Sequence, residues 1–397
     1  MKGLTDIDGV FGAGIFSGLK QDSSSKDLAY IYVPNAVGSA AVFTQHLFPA
    51  PSVVFTKKNS QKYTFKAVVI NSGNAHAGIG EPDGMNSVKK AAKQVADRLN
   101  ISIKEVAVAS TGVIGVPLPM DLYKNGLDRL LSDVYQKDSE SLAQAILTTD
   151  LVTKSVFKEK KIGKKTFQVA GITKGSGMIA PNMATTLTFL VTNADLNNQQ
   201  LQPFLECAIH DSYNMLSVDT DTSTNDMVVI FATGEHKFSI TNKQDTESFQ
   251  ELLTDSCVDL AKQIAKDGEG ATTVINAKVS GAASNCDART IAKQVVDSPL
   301  VKTAIYGADP NWGRIVMAMG KNPSVKLNPK KVSIFIGPYQ LMKSGEAFSF
   351  DRELVSSYLK DNDEVDVMID LGLGRASALA YGCDLTHGYI DINTEYS

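Results

Sequence analysis

The chain of 397 residues is poor in the residues that staple or metallate small proteins: it has four cysteines, one tryptophan and five histidines. Cys207, Cys257, Cys286 and Cys383 are far apart and form no C-x-x-C pair. That argues against a disulfide framework or a cysteine zinc site and leaves buried, reduced thiols as the expectation. Charge of one sign is also missing: 39 Lys and Arg stand against 43 Asp and Glu, so no strong field favours nucleic acid or an anionic membrane. No apolar run approaches a membrane-spanning length. The opening MKGLTDIDGV has no apolar signal stretch, so the cytoplasm is the expected compartment. There is no H-E-x-x-H, no G-x-S-x-G and no P-loop, and the histidines fall in no catalytic pattern.

What is present is a chain long enough to bury a sizeable core without staples. Short β-branched runs bounded by turn residues predict strands at 28–34, 66–70, 106–109, 166–172, 186–192, 227–233, 272–279, 331–336 and 364–371. Helical spacing predicts helices at 86–99, 137–147, 199–216, 248–265 and 285–297, with Asn86 and Ser284 as N-caps. Strands bounded by glycine-rich loops suggest an α/β protein in which sheets pack together with helices outside. The segment 154–165, KSVFKEKKIGKK, carries six lysines and reads as an exposed hairpin tip. Asp219, Asp221 and Asp226 could suit a hard cation. Their run lacks the central glycine and closing glutamate of a calcium loop, however, and interleaved Ser and Thr favour capping and loop hydrogen bonds, so no metal is expected. GAGIFSG at 12–18 lacks the spacing of a dinucleotide loop.

The informative stretch begins at Lys174: KGSGMIAPNMATTLTFLV. A flexible glycine loop, a proline and small residues lead into a buried-looking strand, with Thr185 at its mouth. A threonine there is either a β-former opening a strand or a nucleophile made N-terminal by chain cleavage. A threonine hydroxyl is a poor nucleophile without a base. If the Ala184–Thr185 bond is cut, the new α-amine, of pKa about 8, sits on the same residue and accepts the hydroxyl proton.

KGSGMIAPNMATTLTF resembles the self-cleavage segment of the ornithine acetyltransferases (glutamate N-acetyltransferases). Further blocks resemble the same family in order along nearly the whole chain: NSGNAHAG at 71–78, ASTGVIG at 109–115, ILTTD at 146–150, SVDTDTSTND at 217–226, DGEGAT at 267–272, GADPNWGRI at 307–315 and DLGLGRASALAYGCDLTHGYIDIN at 370–393. The resemblance implies an αββα sandwich of the DmpA-like type. It also implies autocleavage into an α chain, 1–184, and a β chain, 185–397, paired as α2β2. The implied reaction moves acetyl from N-acetylornithine to glutamate by ping-pong through an acetyl ester on Thr185, in arginine biosynthesis. No bound cofactor is implied, although some members also take acetyl from acetyl-CoA, and no nucleic-acid or membrane partner is expected.

Carried over residue by residue, Thr111 and Gly112 would form the oxyanion hole, where two donors converge on developing charge. Lys174, one of Thr148 and Thr149, Thr185, Glu269, Asn393 and Ser397 would bind substrate. An ammonium at Lys174 suits an amino-acid carboxylate, and a carboxylate at Glu269 suits the amine of ornithine. Three departures stand out. The chain ends slightly short of the usual spacing to Ser397. Thr186 replaces a common Met and puts two hydroxyls side by side. His76 stands where Asn is commoner and is expected to be a structural loop histidine. An N-terminal-nucleophile aminopeptidase or amidohydrolase of similar fold, or a non-catalytic metabolite-binding protein, are the alternatives.

Overall fold

The computed structural model describes residues 2–22, 24–80, 82–163, 165–180, 186–235, 237 and 239–394. Ala184, Thr185 and Ser397 lie outside the described residues. The chain forms two compact units: the first comprises Met1–Gly175, Pro181–Asn214 and Thr222–Leu260, the second Ser176–Ala180, Met215–Asp221 and Ala261–Ser397.

The first unit holds two sheets. One runs in the order β1 (Phe11–Ile15), β2 (Leu28–Tyr32), β4 (Ala67–Asn71), β5 (Val106–Ser110). The other runs β3 (Gly38–Phe43), β10 (Met227–Ala232), β8 (Leu187–Thr192), β7 (Lys165–Lys174), β6 (Lys154–Ile162). Side chains alternate with the two-residue period of a strand. Ala29, Ile31, Val68, Ile70, Ala107 and Ala109 meet Ile172, Phe189, Val229 and Phe231 of the second sheet in one core. The intervening Leu28, Tyr30, Tyr32, Val69 and Val108 face α2 (Asp83–Leu99) and α3 (Met120–Leu130). Each such side chain, fully buried, contributes roughly 1.5–3 kcal/mol. On the far side, α5 (Asn198–Asp211) reaches β3 through Gln202, whose amide donates to the Ala41 carbonyl at 3.1 Å. The unit-one part of α6 (Lys243–Lys266) sets Phe249 edge-on to Phe167 at 5.8 Å and Leu260 over Gly171. The layers are therefore helix, sheet, sheet, helix: the expected αββα sandwich.

Two shorter helices fix the sheet that carries the site. The Thr56 hydroxyl of α1 (Pro51–Ser60) exchanges hydrogen bonds with both backbone groups of Val108, at 2.9 Å each. A Cβ at Gly14 would come within 2.3 Å of the Ser141 carbonyl of α4 (Ser139–Ala145), so only glycine lets that helix lie against β1.

The second unit is a single sheet in the order β14 (Glu346–Ala347), β13 (Tyr339–Lys343), β12 (Ser333–Ile336), β15 (Glu364–Asp370), β11 (Val274–Ala282), β16 (Ala376–Cys383), β9 (Leu216–Ser217). Ile275, Ala277 and Val279 share a core with α7 (Asn285–Val296), α8 (Pro299–Tyr306), α9 (Trp312–Met319) and α10 (Arg352–Asp361), while Asn276 and Lys278 on the other face pair with Asp366. A last helix, α11 (His387–Thr394), closes the described chain.

Nine predicted strands and five predicted helices coincide with elements, within a few residues at their ends. Ser284 caps α7 by accepting from the Asp287 N–H at 3.1 Å, but Asn86 is not a cap, because α2 already begins at Asp83. The lysine-rich segment is not merely an exposed tip. It is strand β6, with the turn near Gly163 and Lys154 fully buried. Lys158 and Lys160 pair with Asp259 and Glu251 of α6, and this masks the strand period in the sequence. All four cysteines are free, but only Cys257 and Cys383 are buried; Cys207 and Cys286 are exposed.

Candidate active site

In the first unit, β4 and β5 run parallel with Asn71 opposite Ser110, and the chain leaves both strands at the same end. The Thr111 N–H donates to the Asn71 carbonyl at 3.0 Å. Gly112 then takes φ +123°, and a Cβ there would lie 2.8 Å from the Asn74 nitrogen, so the Thr-Gly step tolerates no larger residue. Polar side chains lock the two loops together. The Asn225 amide donates to the carbonyls of Ala75 at 2.5 Å and Ser110 at 2.8 Å, and the Ser110 hydroxyl also donates to Ala75. Thr111 is buried, and among the described residues no group pairs with its hydroxyl. His76 is buried at φ +55°, with its N–H on Asn74 Oδ1, and burial holds its imidazole below the ordinary value and neutral. It is the structural loop histidine that was expected.

The second cluster of this unit is charged. Lys174 ends β7 in register with Leu187 on β8, which in turn is in register with Met227 on β10. Beside it, Asp150 has no exposed side-chain surface and receives Lys154 Nζ at 2.6 Å, Gly175 N at 2.7 Å and Thr148 N at 2.9 Å. Burial pushes this carboxyl up, but the Lys154 and Lys174 charges and these donors hold it below the usual range. The Thr148 hydroxyl also leans on Asp150, at 3.4 Å, whereas among the described residues nothing holds the Thr149 hydroxyl. Asp226 behaves in the opposite way. Burial, offset only in part by Lys174, pushes its carboxyl up to about 8, and its Oδ2 has no partner among the described residues. It is a neutral acid at pH 7.

Thr186 opens β8 and is buried. Its hydroxyl lies 2.8 Å from that of Thr188 and 3.4 Å from that of Thr173. A hydroxyl so enclosed is not available to attack a substrate.

In the second unit, the turn after α6 carries Glu269. Its carboxylate accepts the Asn393 amide at 2.8 Å, and its N–H donates to the Ser176 carbonyl at 3.1 Å. A Cβ on Gly177 would strike that carboxylate at 2.3 Å, and one on Gly270, at φ +67°, would strike the Tyr389 nitrogen at 2.4 Å. Gly270 is thus a contact requirement, whereas a side chain at Gly177 would displace the Glu269 carboxylate. Asp219 accepts the Met178 and Ile179 N–H groups at 2.6 and 2.7 Å and the Tyr389 hydroxyl at 3.3 Å. Burial outweighs these donors and raises its carboxyl; burial and the carboxylates of Asp219 and Glu269 raise the Tyr389 phenol. Loop hydrogen bonding, as expected, is what occupies Asp219. Its place beside Tyr389 and Glu269 was not foreseen. The signal was the pairing of SVDTD with the tyrosine of THGYIDIN, two segments far apart in sequence. The chain thus brings Glu269 and Asn393 into contact in one unit, and gathers Thr148 and Lys174 around Asp150 in the other.

The family model described as the ArgJ family matches residues 12–397. This chain belongs to the ArgJ family. The arginine biosynthesis bifunctional protein ArgJ of Gloeobacter violaceus is 40% identical over 399 residues, covering 100% of this chain and 98% of that protein. The protein of the same description from Geobacillus kaustophilus is 42% identical, covering 97% and 93%. A crystal structure of arginine biosynthesis bifunctional protein ArgJ from Bacillus halodurans is 43% identical at a TM-score of 0.50, and it covers 52% of this chain and 97% of the solved one. The acetyltransferase family suggested by the motif blocks is therefore the family found, and this ArgJ chain is an enzyme.

Proposed function

We propose that this ArgJ enzyme is a glutamate N-acetyltransferase that exchanges acetyl between N-acetylornithine and glutamate through an ester on Thr185. The observation that carries the reading is the register of three strands. Lys174 lies across from Leu187, and Thr186, whose carbonyl accepts the Met227 N–H at 2.9 Å, opens β8 with its own hydroxyl occupied. Of the two adjacent threonines, that leaves Thr185 as the nucleophile.

Thr185 Oγ first attacks the Ala184 carbonyl, the C–N bond breaks and frees the Thr185 amine, and water then hydrolyses the Ala184 ester and frees the Thr185 hydroxyl. The α chain, 1–184, and β chain, 185–397, stay together, because β8 and β10 lie in one sheet with β3, β7 and β6. The half-length span of the solved B. halodurans chain supports division near the middle. Thr185 Oγ then attacks the acetyl carbonyl, its amine takes the hydroxyl proton and hands it to the departing ornithine nitrogen, and Thr111 and Gly112 hold the oxyanion. The glutamate amine attacks the acetyl ester and returns the proton to Thr185 Oγ. Lys174 binds the α-carboxylate common to both substrates. Thr149, rather than the engaged Thr148, adds a hydroxyl. Glu269, oriented by Asn393, receives the ornithine side-chain ammonium, and Ser397 completes the substrate contacts. Acetyl-CoA is a second acetyl donor, in keeping with the word bifunctional in the relatives' names. The assembly is α2β2, in the cytoplasm, with no bound cofactor.

Intact-mass spectrometry of the purified protein tests this. Two chains, one beginning at Thr185, and transfer of labelled acetyl from N-acetylornithine to glutamate are expected. An uncut 42.6 kDa chain, or release of free acetate without N-acetylglutamate, would refute it.

A further inference from the structure

Four hydroxyls in the first unit form a closed buried set that the proposed reaction does not use. Thr188 lies 2.7 Å from Thr173 and 2.8 Å from Thr186, and it donates to the Tyr213 phenol at 2.9 Å. Thr173 also reaches Thr186 and the Leu187 carbonyl, at 3.4 Å each. All four residues are at most 1% exposed, and burial raises the Tyr213 phenol, so all four stay neutral and hydrogen-bonded.

The set has a direction. Tyr213 follows α5, Thr173 belongs to β7 and Thr188 lies within β8; Thr173 and Thr188 both meet the hydroxyl of Thr186, the residue just before β8, and Tyr213 holds Thr188. Thr186 is held twice over: its hydroxyl by Thr188 and Thr173, and its carbonyl by the Met227 N–H of β10. A strand normally frays at its first residue, where the ladder is incomplete and the side chain has one free rotor. Here both the backbone and χ1 are fixed, and the partner hydroxyls cannot turn to water. Hydrogen bonding that leaves no alternative partner is the arrangement in which loss of one member costs most.

We infer that Thr186 is a positioning residue: its buried hydroxyl clamps the chain immediately downstream of Thr185 and so sets the attack geometry for both self-cleavage and acetyl transfer. The inference rests on Thr185 being the nucleophile. It explains why a second threonine adjoins the first without competing with it. A clamp one residue from the reacting hydroxyl acts on orientation, and an error of about 1 Å in a reacting atom can cost on the order of 100-fold in rate. It has no reason to alter the affinity of ligands held by Lys174 or Glu269.

The full chain carrying Thr186→Val keeps the shape and loses the hydroxyl; Thr186→Ser keeps the hydroxyl. We expect Thr186→Val to slow self-cleavage and lower kcat about tenfold or more, with KM for N-acetylornithine and glutamate unchanged within about twofold. Thr186→Ser should remain near wild type in both. Wild-type cleavage and kcat in Thr186→Val, or a rise in KM at constant kcat, would overturn the inference. Should Thr186→Val not fold, Thr188→Val removes the same clamp from its other side; the same kcat-only loss is expected, and a change in stability without it would overturn the inference. Thr185→Ala run in parallel separates the two readings. Activity surviving there sinks the nucleophile assignment itself, whereas an uncut, inactive Thr185→Ala beside a fully active Thr186→Val sinks only the clamp.

Discussion

The two units solve different problems. The first is a four-layer sandwich whose functional groups sit where strands end: Thr111 and Gly112 after β5, Lys174 at the end of β7, Thr186 at the start of β8. The ends of β7 and β8 are held by ladders on both sides, and that of β5 by β4 and the Asn225 amide, so these groups inherit the rigidity of the core. The second unit is one sheet with helices packed on it, and its clustered polar groups, Asp219, Glu269 and Tyr389, lie on the connections and the last helix. The charge differs too. The first unit gathers lysines, Lys154 and Lys174, around a single ionised carboxylate; the second gathers carboxylates with neutral amide and phenol partners. On the proposed function, the first region would fix the reacting atoms and hold an anion, and the second would receive a cation.

Removing Lys154 should damage the first unit most. Lys154→Met leaves the buried Asp150 without its ion-pair partner, with Lys174 as the remaining cation, and about 3–5 kcal/mol of stability should be lost in urea titrations. A loss below about 1 kcal/mol would mean that Asp150 finds water, and that the rigidity attributed to this region is overstated. Next comes Thr111→Val, which should lower kcat by about 10²–10³ with little change in unfolding midpoint. If KM alone moved, the hydroxyl would belong to binding, and the division of labour between the units would fail.

Asp226 gives a pH signature. Its folded value, about 8, lies above that of an unfolded aspartate, about 3.9, so the folded state binds the proton more tightly. The resulting stability is fully present below about pH 4 and is lost as pH rises through about 8, by up to about 1.4 kcal/mol per pH unit. Asp226→Asn should lose that slope, so the difference between wild-type and variant urea midpoints should shrink as pH rises; parallel curves would show that folding leaves the carboxyl's proton affinity unchanged. Glu269→Gln should have the smallest effect: a roughly tenfold rise in KM for N-acetylornithine with a smaller change in kcat and unchanged stability. An equal fall in kcat would place this carboxylate in the chemistry and blur the contrast between the units.

Much of this was legible in the residues. Strands such as 227–233 and 364–371 declare themselves through β-branched runs, and they are where expected. β1 and β3, FGAGI and GSAAVF, were missed because glycine and alanine carry little strand propensity. They are strands because β1 pairs antiparallel with β2 and β3 with β10, and their small residues let Ser141 of α4 and the Leu196–Asn197 backbone approach. Lys154 looked like surface because a lysine's charge is visible in sequence and its buried partner four residues earlier is not. Among the site residues, Thr111–Gly112, Lys174, Glu269 and Asn393 stood out through motif blocks, while Asp219 and Tyr389 did not.

The sequence by itself determined the α/β alternation and the motif blocks, because local spacing of glycines, threonines and β-branched residues survives as a one-dimensional pattern; the αββα sandwich followed only from the family those blocks resemble. Tertiary structure alone decided which groups are charged, which hydroxyls are occupied and which glycines are obligatory. Asp150 and Asp226 are the same residue type; only the cations and donors packed around each make one an anion and the other a neutral acid. Thr186 is spelled like Thr185, and only the two threonine side chains that close over its hydroxyl remove it from the reaction.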